Sequence, residues 1–258
     1  MTSLHGKIAL ITGSTSGIGR GIAAHFASLG ARVVVHGPDA ASSNAAAEEL
    51  RAAGREVDAV AGDLANVAAC REVVRSVVER QGGIDVLVNN AATVARGSLE
   101  DATVEFWDTV MAVNLRAPFI CLQEAVRSMK SRGGGSIVNI GSINAYVGLP
   151  QLGPYSASKG ALMTMTKNAA MAWGRYRVRV NQLNVGWTLT EGEEAVQRSD
   201  GKGPDWYQDA CATRPFGRLL LPADIAMAAA YFASDDSAVI SGAVVDLEQF
   251  PLSGLAPW

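Results

Sequence analysis

The stretch that decides the fold is "KIALITGSTSGIG" at residues 7–19. A short, apolar, strand-like run is followed at once by Gly13, Gly17 and Gly19 and by the start of a helical pattern. Glycine lets the chain turn tightly, and the free N–H groups at a helix N-terminus attract anions. The stretch predicts a strand, a glycine turn and a helix, and the turn holds either the phosphates of a nucleotide or no ligand.

Strand and helix patterns alternate in the same way along the rest of the chain. The apolar runs are continuous, as expected for strands that are buried on both faces. They predict an α/β fold with a doubly wound, seven-stranded, mostly parallel sheet and helices on both faces. The predicted strands are 7–12, 32–37, 56–63, 84–91, 135–142, 177–186 and 242–247, and the predicted helices are about 17–29, 41–53, 67–81, 103–130, 155–173 and 222–234.

No linker or internal repeat divides the chain, so residues 1–258 are predicted to form a single domain. The longest stretch without periodicity is 187–221, which contains "EGEEAVQRSDGKGPDW". A long segment of this kind inside a regular domain is usually a lid or a binding loop and less often a plain insertion. We predict that it is a lid over the substrate.

Composition excludes several classes of function. The net charge is −3, so no basic surface suggests a nucleic acid or an anionic membrane as a partner. Cys70, Cys121 and Cys211 are dispersed without metal-ligand spacing, which favours reduced thiols and no metal site. With no signal peptide and no apolar run of membrane-spanning length, the sequence predicts a cytoplasmic protein.

A second pattern suggests acid–base chemistry. Tyr155 and Lys159 are four residues apart on a predicted helix and therefore share one face. A free tyrosine has a pKa of about 10 and is a poor base at neutral pH, but a neighbouring ammonium group lowers that pKa. Ser142 ends a predicted strand thirteen residues before Tyr155. Taken alone, most such tyrosine–lysine pairs are surface accidents.

Five motifs stand in order along the chain: Thr12-Gly13-x-x-x-Gly17-Ile18-Gly19, Asn89-Asn90-Ala91-Ala92, Asn114, Ser142 and Tyr155-x-x-x-Lys159. The glycine spacing differs from the usual dinucleotide fingerprint, G-x-G-x-x-G. Together the motifs resemble the short-chain dehydrogenase/reductase family over about residues 5–247. The resemblance implies a Rossmann-like domain, NAD or NADP as the cofactor, and an oxidoreductase that transfers hydride at a carbonyl or alcohol carbon.

The resemblance also implies roles for four catalytic residues. Tyr155 is the expected general acid and base. Lys159 is expected to lower the pKa of Tyr155 and to hold the nicotinamide ribose. Ser142 is expected to hydrogen-bond the substrate oxygen, and Asn114 to position a water that connects Lys159 with solvent. Asn114 is equally well explained as a side chain that closes a helix bend.

The cofactor contacts implied by the resemblance extend along the chain. Ile18 is expected to present its backbone N–H to the pyrophosphate, and Asp63 and Leu64 to contact the adenine ring. Asn90 is expected beside the adenosine ribose and Thr190 at the nicotinamide carboxamide. The complete set is Gly13, Ser16, Gly17, Ile18, Gly19, Asp63, Leu64, Asn90, Tyr155, Lys159 and Thr190.

The choice between NAD and NADP stays open. The position where a carboxylate selects NAD is Gly37, and the following position, where a basic side chain selects NADP, is Pro38. Asp39 could favour NAD, whereas His36 with Ser16 and Ser42 could accept a phosphate. Neither signature is present.

Polar side chains dominate the predicted substrate side, which suits a sugar, a polyol or a cyclitol better than a steroid or an acyl chain. Alternatively, the acidic lid residues simply face solvent. The expected substrate contacts are Ser142, Asn144, Gln151, Tyr155 and Trp187, and Val94, Tyr146, Glu191 and Glu193 are further candidates.

Two other functions remain as alternatives. A 3-oxoacyl-thioester reductase shares the layout, but it is expected to carry a basic surface at the mouth of its site, and the lid here is acidic. A regulatory protein that binds the cofactor without catalysis typically lacks the tyrosine or the lysine, and here both are present.

Assembly is predicted only from the resemblance, which implies a homotetramer. The helices at about 103–130 and 155–173 correspond to those that pair between subunits. Packing within the subunit explains their small and adaptable side chains equally well, and the apolar tail at 250–258 could pack on a neighbouring subunit. The side chains in question are Ala161, Met165, Ala169 and Ala172.

Overall fold

Seven parallel strands form one sheet in the order β3-β2-β1-β4-β5-β6-β7 in the computed structural model, which describes residues 2–250. The sheet confirms the predicted fold class. The chain order reverses between β1 and β4, and at such a point the connections leave toward opposite faces and open a crevice. The strands are β1 Ile8–Ile11, β2 Arg32–Gly37, β3 Val57–Ala61, β4 Val86–Asn89, β5 Gly135–Ser142, β6 Val178–Val185 and β7 Val244–Leu247.

Helices cover both faces of the sheet and bury an apolar core on each. One core contains Phe26 of α1 and Ile225 of α9, and the other contains Val74 of α3 and Leu122 of α5. The helices are α1 Gly17–Ser28, α2 Ala40–Ala52, α3 Val67–Gln81, α4 Val104–Met111, α5 Ala117–Ser131, α6 Gly153–Trp173, α7 Glu191–Ser199, α8 Trp206–Ala212 and α9 Pro222–Ala233. In the part of the chain that the structure describes, no helix is long and apolar enough to cross a membrane.

Apart from shifts of at most two residues at the ends of elements, the structure departs from the predicted elements in two places. The helical region predicted at 103–130 is interrupted by a π-helical turn, Ala112–Arg116, between α4 and α5. The stretch 187–221, which has no clear periodicity in the sequence, contains the helices α7 and α8. Most of the apolar tail predicted to contact a neighbouring subunit, residues 251–258, lies outside the described residues.

A chain of buried polar side chains crosses the centre of the sheet. Asn89 donates to Asn139 at 2.8 Å, and Asn139 donates to the hydroxyl of Thr166 on α6 at 2.8 Å. The Thr166 hydroxyl lies within hydrogen-bond distance of the Gln182 side-chain oxygen at 3.0 Å and of the Leu162 carbonyl at 2.9 Å, and Gln182 donates to Asn184 at 2.7 Å. All five side chains are buried. The chain therefore ties α6 to three neighbouring strands through hydrogen bonds that water cannot replace without opening the core.

We expect Thr166→Val to destabilise the protein, because the isosteric change leaves the amide of Asn139 and the carbonyl of Gln182 buried without a partner. The expected loss in the free energy of unfolding is about 1–3 kcal/mol, measured by urea denaturation. Thr109→Val on α4 is the matched control, since Thr109 is exposed and its hydroxyl donates to the Glu105 carbonyl at 2.8 Å. Equal losses in the two variants would contradict the prediction.

Candidate active site

A cleft of about 940 Å³ opens at the carboxyl ends of the strands. Its lining includes Gly13 after β1, Asn90 after β4, Ser142 at the end of β5 and Gly186 after β6. These positions surround the reversal of strand order, where open α/β sheets bind their ligands. The sheet topology therefore brings residues that are far apart in sequence to one site.

The glycine turn forms one end of the cleft and depends on its glycines. Gly13 and Gly17 have φ angles of 61° and 53°, in the left-handed region that favours glycine. A Cβ atom on Gly19 would collide with the carbonyl oxygen of Gly13. The Asn90 amide donates to the carbonyls of Thr12 and Gly13 at 3.0 and 2.9 Å. Asn90, expected beside the ribose, thus lines the cleft and also holds the turn in shape.

The N-terminus of α1 fits the phosphates of a dinucleotide. Its N-cap, Ser16, makes no side-chain capping bond, and its first turn contains no acidic residue. A carboxylate already sits at this end, because Glu191 of α7 pairs with Arg20. Hydrogen bonding by its own backbone N–H, and then the Arg20 charge and the Gly17 N–H, lower the pKa of Glu191. An anion is therefore accepted where a pyrophosphate would lie.

His36 and Asp39, the side chains weighed for cofactor choice, have structural partners. His36 Nδ1 accepts from the Gly13 N–H at 3.1 Å and Nε2 donates to the Gly62 carbonyl at 3.0 Å. Burial lowers the pKa of His36, so the imidazole lacks the positive charge that would attract a phosphate. The Asp39 carboxylate caps α2 by accepting from Ser42 N at 2.9 Å.

Ser142, Tyr155 and Lys159 meet in the middle of the cleft. Lys159 Nζ donates to the Ile140 carbonyl at 2.9 Å and lies 5.6 Å from the centre of the Tyr155 ring. Burial lowers the pKa of Lys159 to about 8. The structure thus places Tyr155 and Lys159 on one face of α6 and Ser142 at the end of β5, in the arrangement that the sequence predicts.

The pKa of Tyr155 moves in the opposite direction from the one expected. Burial raises it, the hydrogen bond with Ser142 lowers it to a smaller extent, and the charge of Glu193 raises it further. The sequence predicts a lowering by Lys159. Burial wins because it removes water from the phenolate, while the ammonium of Lys159 bonds a backbone carbonyl and is itself desolvated.

Asn114 lies in the π-helical turn and is buried. Its Oδ1 accepts from Thr93 N at 2.8 Å, and its Nδ2 donates to Thr93 O at 3.0 Å and to Ser158 Oγ at 3.2 Å. The side chain thus joins the loop after β4 to α6, as expected of a residue that closes a helix bend. The expected role in positioning a water stays a prediction.

The wall opposite the glycine turn carries acidic and aromatic side chains. Trp187 Nε1 and Gln197 Nε2 both donate to Glu193 Oε1 at 2.7 Å. Arg96 pairs with Asp200 at 2.7 Å. All five residues line the cleft.

All the residues predicted to contact the cofactor or the substrate line this one cleft, whereas Asn114 lies outside its lining. Of the further candidates, Tyr146, which is 46% exposed, and Glu191, which pairs with Arg20, are also outside the lining, whereas Val94 and Glu193 are part of it. Sequence reasoning missed Arg96, Gln197 and Glu248, which also line the cleft. Gln197 had a usable signal, because it stands four residues after Glu193 on what proved to be a helix.

Comparison with known proteins agrees with this geometry. The family model described as enoyl-(acyl carrier protein) reductase matches residues 13–248. Gluconate 5-dehydrogenase of Gluconobacter oxydans is 35% identical over 243 residues, which cover 94% of this chain and 93% of that protein. D-threitol dehydrogenase of Mycolicibacterium smegmatis is 36% identical over 241 residues, which cover 93% and 90%.

Among solved structures, a gluconate 5-dehydrogenase from Burkholderia cenocepacia in complex with NADP and tartrate is similar along the whole fold. The TM-score is 0.90 at 31% sequence identity, and the match covers 99% of this chain and 98% of that one.

We expect Gly19→Ala to weaken cofactor binding, because the added methyl group displaces the Gly13 carbonyl and the Asn90 amide that shape the turn. The dissociation constants for NADH and NADPH, titrated by fluorescence, should rise roughly tenfold or more, which corresponds to about 1.4 kcal/mol of distortion. Gly174→Ala is the control, since a Cβ there meets no atom within 4 Å. Equal affinities in the two variants, with circular dichroism unchanged, would refute the role of the turn.

Proposed function

The chain belongs to the short-chain dehydrogenase/reductase family, and on that premise we propose that it interconverts a secondary alcohol and a ketone on a small polyhydroxylated substrate such as a sugar, a polyol or a cyclitol. It is an NAD(P)-dependent oxidoreductase that acts on CH–OH groups. The observation that carries the proposal is the position of Ser142, Tyr155 and Lys159 in one cleft with the glycine turn.

The glycine-turn end of the cleft is the proposed cofactor site. NAD or NADP, when bound, supplies the nicotinamide carbon that gives or takes the hydride. The backbone around Gly17 and Ile18 binds the pyrophosphate, and Asp63 and Leu64 contact the adenine. Asp63 is exposed at the rim of the cleft and Leu64 is buried, which suits a polar contact and an apolar one respectively. Thr190, which lines the same cleft, is proposed to bond the nicotinamide carboxamide.

Tyr155 moves the proton that must accompany the hydride. Its raised pKa keeps the phenol protonated at neutral pH, so during reduction it donates its proton to the carbonyl oxygen of the substrate. During oxidation it must first lose that proton, and this direction is favoured as the pH rises toward the pKa of Tyr155. The Ser142 hydroxyl donates a hydrogen bond to the same oxygen and stabilises the charge that develops there.

Lys159 supplies a cation beside the phenol. Its pKa of about 8 means that it is mostly charged at neutral pH and loses the charge as the pH rises through that value. While charged, it stabilises the negative charge that is left on the Tyr155 oxygen when the phenol gives up its proton during reduction. Asn114 keeps the loop after β4 against α6 at Ser158, the residue before Lys159.

The polar wall favours a hydroxylated substrate. Asn144, Gln151 and Trp187 line the cleft and offer amide and indole groups. Residues 187–221, which contain α7 and α8, are proposed as the substrate lid. The relatives named for gluconate and threitol support a polyhydroxylated substrate. A thioester reductase is less well supported, because Arg96 at the mouth is neutralised by Asp200.

The proposed function predicts activity on polyols and sugars in a panel that also contains hydrophobic secondary alcohols and acyl thioesters. Turnover is followed by the absorbance of the reduced nicotinamide with each of NAD and NADP. We expect kcat/KM for the best polyol or sugar to exceed that for the best hydrophobic alcohol by roughly a hundredfold, since unpaired polar groups in the wall penalise the latter.

Tyr155→Phe is the matched control for this assay. It should lower kcat by about 10²- to 10⁴-fold and leave the affinity for the reduced cofactor unchanged within a factor of about three. Activity confined to hydrophobic ketones would overturn the proposed substrate class. Full turnover by Tyr155→Phe would overturn the proposed mechanism.

We also propose that the protein is a homotetramer. A groove of about 1140 Å³ between α4, α5 and α6 is lined by Trp107, Phe119, Met165 and Ala172, and Phe119 is 46% exposed. Exposed aromatic and aliphatic side chains in one continuous groove are typical of subunit interfaces. Ala161 and Ala169 also line the groove, and Ala169 is at the same time buried in the core of the subunit.

Multi-angle light scattering should give four times the 26.9 kDa mass of one chain. Phe119→Asp places a charge in the groove and should shift the mass toward smaller species. Leu99→Asp, at a site that is 77% exposed and outside the groove, should not. A 26.9 kDa species of the unmodified protein at micromolar concentration would contradict the tetramer.

The proposed location is the cytoplasm. Cys70 and Cys121 are buried, Cys211 is half-buried, and all three are free thiols. Unpaired cysteines are typical of reducing compartments.

A further inference from the structure

One carboxylate in the cleft wall that carries Trp187 and Gln197, which we call the substrate wall, is hydrogen-bonded through only one of its two oxygens in the described part of the chain. Glu193 Oε1 accepts hydrogen bonds from Trp187 and Gln197, both at 2.7 Å. Within residues 2–250, the hydrogen bonds to this carboxylate reach Oε1 and none reaches Oε2. Glu193 lines the same cleft as Tyr155, and its charge acts on the Tyr155 hydroxyl. The second oxygen is therefore available to a molecule bound beside the reacting centre.

The position of this carboxylate is fixed before a substrate arrives. Thr190 caps α7 by accepting from Glu193 N at 3.1 Å, which sets the backbone of the residue. The Trp187 ring lies 6.3 Å from the ring of Trp206 and 5.4 Å from the guanidinium of Arg214. Gln197 is buried one helical turn further along α7. An acceptor with so little freedom loses little entropy when it binds a donor.

The chemistry of a fixed, charged acceptor defines the group that it binds. A hydroxyl group donates a strong, charge-assisted hydrogen bond to a carboxylate. A substrate with no hydroxyl at that place covers Oε2 and leaves that oxygen without a hydrogen-bond partner, which is costly. A carboxylate of the substrate at the same place would be repelled by the negative charge of Glu193. Of the other cations that line the cleft, Arg96 is paired with Asp200, and the guanidinium of Arg214 lies over the Trp187 ring.

We propose that Glu193 binds a hydroxyl group close to the reacting carbon and thereby selects neutral polyhydroxylated substrates over deoxygenated ketones and over sugar acids. This inference rests on the proposed function and sharpens it, because the relatives named for gluconate act on a sugar acid by their names. The inferred preference of this chain is for the uncharged sugar or polyol.

The test compares Glu193→Gln with Glu194→Gln. Glu194 is the next residue on α7 and does not line the cleft, so its substitution removes the same charge from the same helix. Each variant is assayed for reduction of erythrulose, of butanone, which has the same carbon skeleton without the hydroxyls, and of a keto acid of the gluconate series. Glu193→Gln should lower the ratio of kcat/KM for erythrulose to that for butanone by about tenfold to a hundredfold. It should also raise activity on the keto acid relative to erythrulose.

A pH profile gives a readout that a purely structural role would not move. Around the Tyr155 hydroxyl are Ser142, Lys159 on its own helix and Glu193 on α7. Because the negative charge of Glu193 raises the pKa of Tyr155, its removal should move the alkaline rise in alcohol oxidation to lower pH, and Glu194→Gln should not. The other ionisable groups that line the cleft are His36, Asp63, Arg96, Asp200, Lys202, Arg214 and Glu248.

The outcomes separate the inference from the proposed function. Wild-type activity on butanone with none on hydroxylated ketones overturns the proposed substrate class. Wild-type activity on erythrulose, with both substrate ratios unchanged in Glu193→Gln, overturns only the role of Glu193. Equal changes in Glu193→Gln and Glu194→Gln also overturn it, because a general effect of charge would then explain the result.

Discussion

The hydrogen bond between Thr166 and Asn139 fixes the position of α6 relative to β5, and the catalytic geometry depends on that position. Thr166 lies seven residues after Lys159 and eleven after Tyr155, so at 3.6 residues per turn the three share one face of α6. Asn139 and Ser142 belong to the same strand, β5. Thr166 is hydrogen-bonded to Asn139, and Lys159 is hydrogen-bonded to the carbonyl of Ile140, the next residue of β5. The helix α6 therefore cannot slide along β5 without breaking these buried bonds. The distance between the phenol and Ser142 is thus set by the packing of a helix on a strand.

This rigid placement also determines where the protons reside. Burial disfavours both the phenolate of Tyr155 and the ammonium of Lys159, so the pKa of the first rises and that of the second falls to about 8. At neutral pH the phenol therefore keeps its proton, which suits reduction of a ketone. The Ser142 hydrogen bond opposes the rise, and the charge of Glu193 adds to it. The direction of catalysis at a given pH consequently depends on residues from a strand and two helices.

The sequence predicts the parts of this arrangement that follow from local rules. Continuous β-branched runs give β2 and β5 with both ends correct, and the spacing of Tyr155 and Lys159 gives their common face. The π-helical turn at Asn114 escapes prediction because one additional residue in a turn barely changes the apolar periodicity. The helix α7 could have been predicted from its capping signal, Thr190 followed three residues later by Glu193. Its largely polar sequence hides the apolar periodicity of a helix. The direction in which the pKa of Tyr155 shifts could not be predicted from the sequence, because its desolvation depends on residues that meet only in the folded chain.

The helix α7 links the two ends of the cleft through residues on different faces. Glu191 faces α1, where it pairs with Arg20, and Glu193, about 200° further around the helix, faces the substrate wall. The ion pair between Arg20 and Glu191 is largely exposed, and exposed ion pairs add little stability. It therefore contributes little to holding α7 against α1. The carboxylate of Glu193 is oriented by Trp187 and Gln197, which lie on the same segment of chain. Because Trp187 precedes α7 and its carbonyl accepts from Leu220 N at 3.0 Å, the indole stays with the end of β6, and its bond to Glu193 opposes a shift of α7.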